Sequence, residues 1–207
     1  MRRLLPVRIS IALGLALLIL CPQSARATWS IVMADYETKE VAAGTVTCLS
    51  QFDLLGLVPV IVVEKGAAAV QASGDFDGQR RPVLHDEIVA GTAPADILEI
   101  VSSIYGHQSR QYGIADTQGR MITFSGQYTS EWKGGVIGQQ GTMVYAIQGN
   151  ILAGDCVVPA IEAAILNTPG DMCDKLMAGM WAARDTGGDG RCSCSNSLPM
   201  SCGCPPE

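Results

Sequence analysis

Residues 24–35, SARATWSIVMAD, join two segments of different character, and the reading of everything downstream turns on that junction. Upstream of Thr28 there is no acid. Arg2, Arg3 and Arg8 precede an apolar run from Ile9 to Cys21, and Ala25-x-Ala27 closes it. A basic start, a short apolar run and a small-residue cleavage site are the plan of a secretory signal peptide. The run is shorter than the roughly 20 apolar residues that a membrane-spanning helix requires. Residues 1–27 are therefore expected to be a signal peptide, and the mature chain to be exported, to the periplasm or the outside of the cell, with no stable membrane span. Cys21 raises a lipoprotein alternative, against which Leu20 stands where lipoprotein processing wants a small residue.

Downstream of the junction the pattern becomes that of a layered domain over residues 28–191. Removing residues 1–27 takes away four arginines and no acid, so the net charge moves from −6 to −10. A chain of that charge repels phosphate backbones, and nucleic acid is excluded as a partner. Short apolar or alternating runs at 29–34, 41–48, 58–63 and 67–72, divided by turn residues, predict strands in an antiparallel meander. Between Pro82 and Tyr105 the apolar spacing becomes helical, with Thr92 and Pro94 as start signals for the second of two helices. Strands return at 111–115, 121–124 and 143–148, and Gly134, Gly135 and Gly138 read as a loop between the last two. Helices are predicted at 157–166 and 172–184. This order argues for α+β with mostly antiparallel sheets rather than a parallel doubly wound fold.

Several chemistries find no support. His85 and His107 are the only histidines, both read as surface residues, and no Gly-x-Ser-x-Gly elbow presents a serine to either. No glycine-rich phosphate loop follows a strand, so no nucleotide cofactor is expected, and none of any other kind. The stretch from Asp185 has Gly187 where the third position of a calcium loop needs an oxygen ligand and Asn196 where the twelfth needs glutamate, and no metal is assigned. Eight cysteines become seven after processing, read as a disulfide set with one left over. The tail at 192–207 is rich in Cys and Pro. Its Cys-x-Cys arms are a residue shorter than usual zinc arms, and pairing between arms or to Cys48 is favoured over pairing within one.

Taken together, a series of short motifs resembles one bacterial family. Thr28-Trp29-Ser30-Ile31-Val32 followed by Asp35 is similar to the Thr-Phe-Ser-Ile-Val-x-x-Asp start of the family catalogued as domain of unknown function 1028, grouped with the Ntn (N-terminal nucleophile) hydrolases. Ala69-Val70-Gln71-Ala72, the hairpin from Gly113 to Arg120, Phe124-Ser125-Gly126, the stretch from Tyr145 to Leu152, and Gly187-Gly188-Asp189-Gly190-Arg191 resemble further family segments in the same order. The resemblance implies a four-layer αββα sandwich. Family members usually continue past the last motif into closing strand structure, which 192–207 does not resemble, so the sandwich is expected either to be incomplete at that end or closed by a crosslinked tail. An unpaired sheet edge there invites association into an oligomer.

The resemblance also implies a mechanism. In an N-terminal nucleophile enzyme the first residue supplies both the attacking hydroxyl and, through its α-amine, the base. An α-amine has a reference pKa of about 7.7–8, suited to that task near neutrality. Cleavage after Ala27 would give Thr28 such an amine, although a β-branched residue also suits the first position of a strand. Thr28 and Asn150 are the catalytic candidates, nucleophile and oxyanion donor. Asn150 has a second reading as the cap of the following helix. Gly149 lets backbone approach a ligand, and Gln71 is a pocket candidate across the sheet. Asp35 and Asp116 are expected to bond the amine or shape the pocket, Asp116 also reading as a turn residue.

The expected function is cleavage of an amide or related acyl bond in a small-molecule or peptide substrate. The alternatives are a non-catalytic secreted or envelope binding protein on the same scaffold, and an interaction domain working through the cysteine tail.

Overall fold

The computed structural model describes residues 28–49 and 52–192, together with all their side chains except that of Cys192. Within it the chain runs through β1 (Thr28–Asp35), β2 (Val41–Val46), α1 (Leu54–Leu57), β3 (Pro59–Val62), β4 (Gly66–Gln71), α2 (Arg80–Ala90) and α3 (Pro94–Ser102). It continues through β5 (Gln111–Asp116), β6 (Met121–Ser125), β7 (Gly134–Gln140), β8 (Met143–Asn150), α4 (Val157–Asn167) and α5 (Met172–Asp185). The expected signal peptide and residues 193–207 of the tail lie outside the described residues.

The strands form two four-stranded antiparallel sheets, ordered β2-β1-β8-β7 and β3-β4-β5-β6. The α+β expectation therefore holds, but the opening meander does not. β1 pairs with β2 and β3 with β4, yet β2 and β3 belong to different sheets, and the chain crosses between them through α1. The reason lies in β1, whose eight residues are all buried. Its odd positions Trp29, Ile31 and Met33 pack with Ile161 and Ile165 of α4 and Ala183 of α5. Its even positions Val32 and Ala34 pack with Ala67, Ala69 and Ala115 of the other sheet. A strand covered on both faces reads as a nearly continuous apolar run. Such a run takes a partner on each side, and β8 fills the second.

Three apolar clusters follow from this arrangement. One joins β1 and β8 to α4 and α5. A second joins β3, β4 and β5 to Leu84 and Ile88 of α2 and Ile97 and Val101 of α3. The third lies between the sheets and is built largely from alanine and valine. Small side chains there let the two backbones come close.

The helices keep the boundaries that local chemistry sets. α2 ends at Gly91 in the left-handed conformation (φ 79°), α3 starts on Pro94, and Asp171 and Asp174 form a reciprocal capping box ahead of α5.

The segment read as a glycine loop is the strand β7. Its glycines are dictated by neighbours rather than by a turn. A Cβ on Gly135 would sit 2.6 Å from the carbonyl oxygen of Ile147 on β8 and 2.7 Å from the Thr123 hydroxyl of the opposite sheet. Gly135→Ala is therefore expected to lose about 1–3 kcal/mol through overpacking, read as a lowered urea midpoint with unchanged m-value. An unaltered midpoint would show that the sheets are not in contact here.

Candidate active site

At the start of β1, Thr28 stands opposite Asn150, the last residue of β8. Both are buried, at 4% and 2% exposure. The ladder register thus brings the two catalytic candidates side by side, although 121 positions separate them in the chain. Asn150 does not cap the next helix, because it still belongs to β8 and the N-cap of α4 is Cys156.

Beneath this pair runs a chain of buried hydrogen bonds that crosses from one sheet to the other. The Ser30 hydroxyl donates to Oε1 of Gln71. Gln71 Nε2, from the end of β4, donates to the Thr28 carbonyl oxygen at 2.7 Å and to Oε1 of Gln111 at 2.9 Å. Gln111 Nε2, from the start of β5, donates to the Gly149 carbonyl oxygen at 2.8 Å and to the Ser125 hydroxyl at 2.7 Å. Ser30, Gln71 and Gln111 are completely buried. Each amide therefore ties the second sheet to the end of β1 or of β8. Truncating either would leave buried groups unpaired, at about 1–3 kcal/mol each.

Gln148 completes the polar seam in another way. It is fully buried, and among the described residues neither of its amide atoms meets a partner. It lies over Gly113 of β5, where a Cβ would come within 2.1 Å of its Oε1. An unpaired buried amide is an expense that folds retain rarely. Its place beside Ser30 in the ladder puts it one pair away from the Trp29 and Gly149 positions that adjoin the candidate pair.

Of the sequence-derived candidates, Thr28, Gln71, Gly149 and Asn150 come together. Asp35 and Asp116 do not join them. Asp35 ends β1, about 23 Å from Thr28 at the usual rise of an extended strand. Its carboxylate accepts from the backbone N–H groups of Glu37 and Thr38, each at 2.8 Å, and from the Thr142 hydroxyl at 2.6 Å. Asp116 ends β5 at the opposite end from Gln111. It accepts from the backbone of Gln118 and Arg120 and pairs with the Arg120 guanidinium, so it organises its hairpin. Both aspartates are turn residues, and neither reaches the Thr28 end of the sheets.

The histidine reading also needs correction. His85 is exposed beside Asp86, as expected. His107, in contrast, is partly buried and stacks on Phe124 with ring centroids 4.3 Å apart. Burial, reinforced by the nearby Arg80 charge, pushes its pKa down.

Asp189 is 1% exposed and accepts from the Arg191 guanidinium and from the Cys48 backbone N–H. With the Leu152–Asp189 bridge, it pins the last described segment to the ends of β2 and β8. Cys156 is disulfide-bonded, whereas Cys48 and Cys173 are free thiols; the expected pairing between the tail arms lies outside the described residues.

Gln111, Gln148 and Ser30 were not singled out from sequence as site residues. Their signal is a polar side chain at an inward position of an otherwise apolar strand.

A family model now matches residues 28–201, the greater part of the chain, and it starts at Thr28 itself. The chain belongs to the DUF1028 family, a family of unknown function. Among solved structures, it is similar to the crystal structure of the DUF1028 protein SPO2555 from Silicibacter pomeroyi. That match has a TM-score of 0.65 at 23% identity, covering 76% of this chain and 67% of the other. At that identity the likeness concerns the fold. No curated protein matches the chain.

Asp35 offers a pH test of its placement. Burial raises its pKa, but the bonds from Thr142, Thr38 and Glu37 outweigh this and leave it below the usual 3.8. The stability it contributes is present above that usual value and is lost as pH falls through the lower folded one. Thr142→Val should cost about 1.5–3 kcal/mol at pH 7, and the deficit should shrink as denaturation is measured at pH 4 and below. A deficit independent of pH would contradict this role.

Proposed function

We propose that this DUF1028 chain is an exported hydrolase of the N-terminal nucleophile type, cleaving an amide or related acyl bond with Thr28. Its fold is then the four-layer αββα sandwich, with α4 and α5 outside one sheet and α2 and α3 outside the other. The three apolar clusters support that reading. The observation that carries the function is the anchoring of Thr28. Its carbonyl is held by the buried Gln71 amide while its strand position faces Asn150.

In the proposed reaction, cleavage after Ala27 frees the Thr28 amine. That amine accepts the proton as the Thr28 hydroxyl oxygen attacks the acyl carbon. The Asn150 side-chain amide donates to the oxyanion that forms, and a fixed donor in a water-poor site contributes most where charge develops. Collapse expels the leaving amine, which takes the proton, and leaves an acyl ester on Thr28. Water then attacks that ester with the same amine as base. Gln71 and Gln111 act as positioning residues, because they hold the two strand ends in register without touching the substrate.

Three variants of the mature protein test this with a panel of amide substrates and an acylating electrophile followed by mass spectrometry. Thr28→Ser should keep part of the activity and label at position 28. Thr28→Ala should lose labelling at position 28 and about a thousandfold or more in turnover. A residue added ahead of Thr28 should lower turnover by about 10²–10⁴-fold, since it turns the base into an amide. Full turnover in the folded Thr28→Ala protein would overturn the proposal and favour a binding protein on the same scaffold.

A further inference from the structure

On the helix-covered side of the second sheet, a cleft of about 670 Å³ lies between the end of α3, the turn at His107–Ser109 and the side chains of Asp77 and Tyr128. That is the size of a small-molecule site. Arg110 lines it and is partly buried. Among the described residues its Nε is buried without a partner, and the guanidinium makes one hydrogen bond, a long one of 3.4 Å to the Ser109 carbonyl oxygen. Among the described residues no carboxylate lies within ion-pair distance of it.

The neighbouring acids are already engaged. Arg80, fully buried, binds both oxygens of Asp77 at 2.7 and 2.9 Å, lies 3.7 Å from Asp75 and also donates to the Tyr105 carbonyl. Asp75 further accepts from the backbone N–H groups of Arg80 and Arg81. The negative charge of Asp77 on the cleft wall is thus matched by Arg80. Asp75 and Asp77 together carry one charge more than Arg80 offsets, so they attract Arg110 at longer range, but among the described residues no carboxylate is in contact with its guanidinium. Withdrawing a guanidinium from water without an anion is costly, and a carboxylate or phosphate can repay it through two parallel hydrogen bonds.

We propose that this cleft binds a small molecule bearing an oxyanion, carboxylate or phosphate, with Arg110 as the residue that grips it. The site does not depend on the hydrolase reading. It is adjacent in structure to the candidate active site all the same, because Arg110 immediately precedes Gln111, whose amide reaches the Gly149 carbonyl.

Calorimetric titration of the folded protein with sodium glutarate and with sodium phosphate, at ionic strength held constant with chloride, tests the proposal. At least one probe should bind saturably. Arg110→Gln should weaken that binding by about tenfold or more, as loss of a charge-assisted pair implies. Arg120→Gln, at the hairpin of Asp116, should leave it unchanged. The imidazole NMR signals of His107 in the wild type should move with the bound fraction while those of His85 stay fixed, a readout that needs no variant to fold. Which probe binds tells carboxylate from phosphate. Saturation by neither, or equal binding by Arg110→Gln, would overturn the proposal.

Discussion

The hydrogen bond from Gln71 Nε2 to the carbonyl oxygen of Thr28 is the contact on which the arrangement of the candidate site depends. It joins the end of a strand in one sheet to the first residue of a strand in the other, in the dry space between them. Without it the end of β1 would still pair with β8 and keep the Ser30–Gln71 bond, but the Thr28 carbonyl would lose its buried donor from the second sheet. Gln111 repeats the same device one strand over, on Gly149. The β1–β8 ladder sets Thr28 opposite Asn150, and the two buried amides tie both strand ends to the second sheet. Inside a protein such bonds are stronger than in water, and the groups they satisfy are correspondingly expensive to strand.

That contact is available because the sheets are close. Ala67, Ala69, Ala115 and Ala146 line their facing surfaces, and Gly113 and Gly135 remove side chains where Gln148 and Thr123 intrude. Larger residues would hold the layers apart and carry the Gln71 amide away from its acceptor. The apolar bulk is placed instead on the outward faces, where helices cover it. The packing of the interior and the geometry of the site are thus one constraint, met by the alternation of side chains along β1 and β8.

Much of this was legible in the sequence. The two helix pairs were, because Thr92, Pro94 and the 168–171 turn punctuate clear helical spacing. Most strands were too. Sheet membership was not, since period-two alternation says which face a residue takes and nothing about which strand lies beside it. That is why β2 and β3 were read as neighbours. β7 escaped because glycine breaks the strand signal, and the neighbours that require glycine, Trp132 at Gly134, Ile147 and Thr123 at Gly135 and Tyr145 at Gly138, are set by the fold. In the site, Thr28, Asn150, Gly149 and Gln71 were visible through motifs. Gln111 and Gln148 were not, since their meaning depends on the sheet opposite. Asp35 misled because the local turn geometry that a short carboxylate favours outweighs any longer reach, whereas the turn reading of Asp116 holds. His107 misled because its burial comes from Phe124 and Tyr112, later in the chain.

Family membership places the chain among proteins of unknown function and begins its match at Thr28, the residue on which the proposed chemistry rests. A fold by itself does not carry an activity. The proposed mechanism makes one demand that no scaffold role shares, a free amine on that threonine. The most direct measurement is the intact mass and first residue of the protein recovered from an exporting host. The account predicts a chain that starts at Thr28 with an unmodified amine. A chain that starts elsewhere, or whose amine is blocked, would leave the proposed nucleophile without its base and contradict the account.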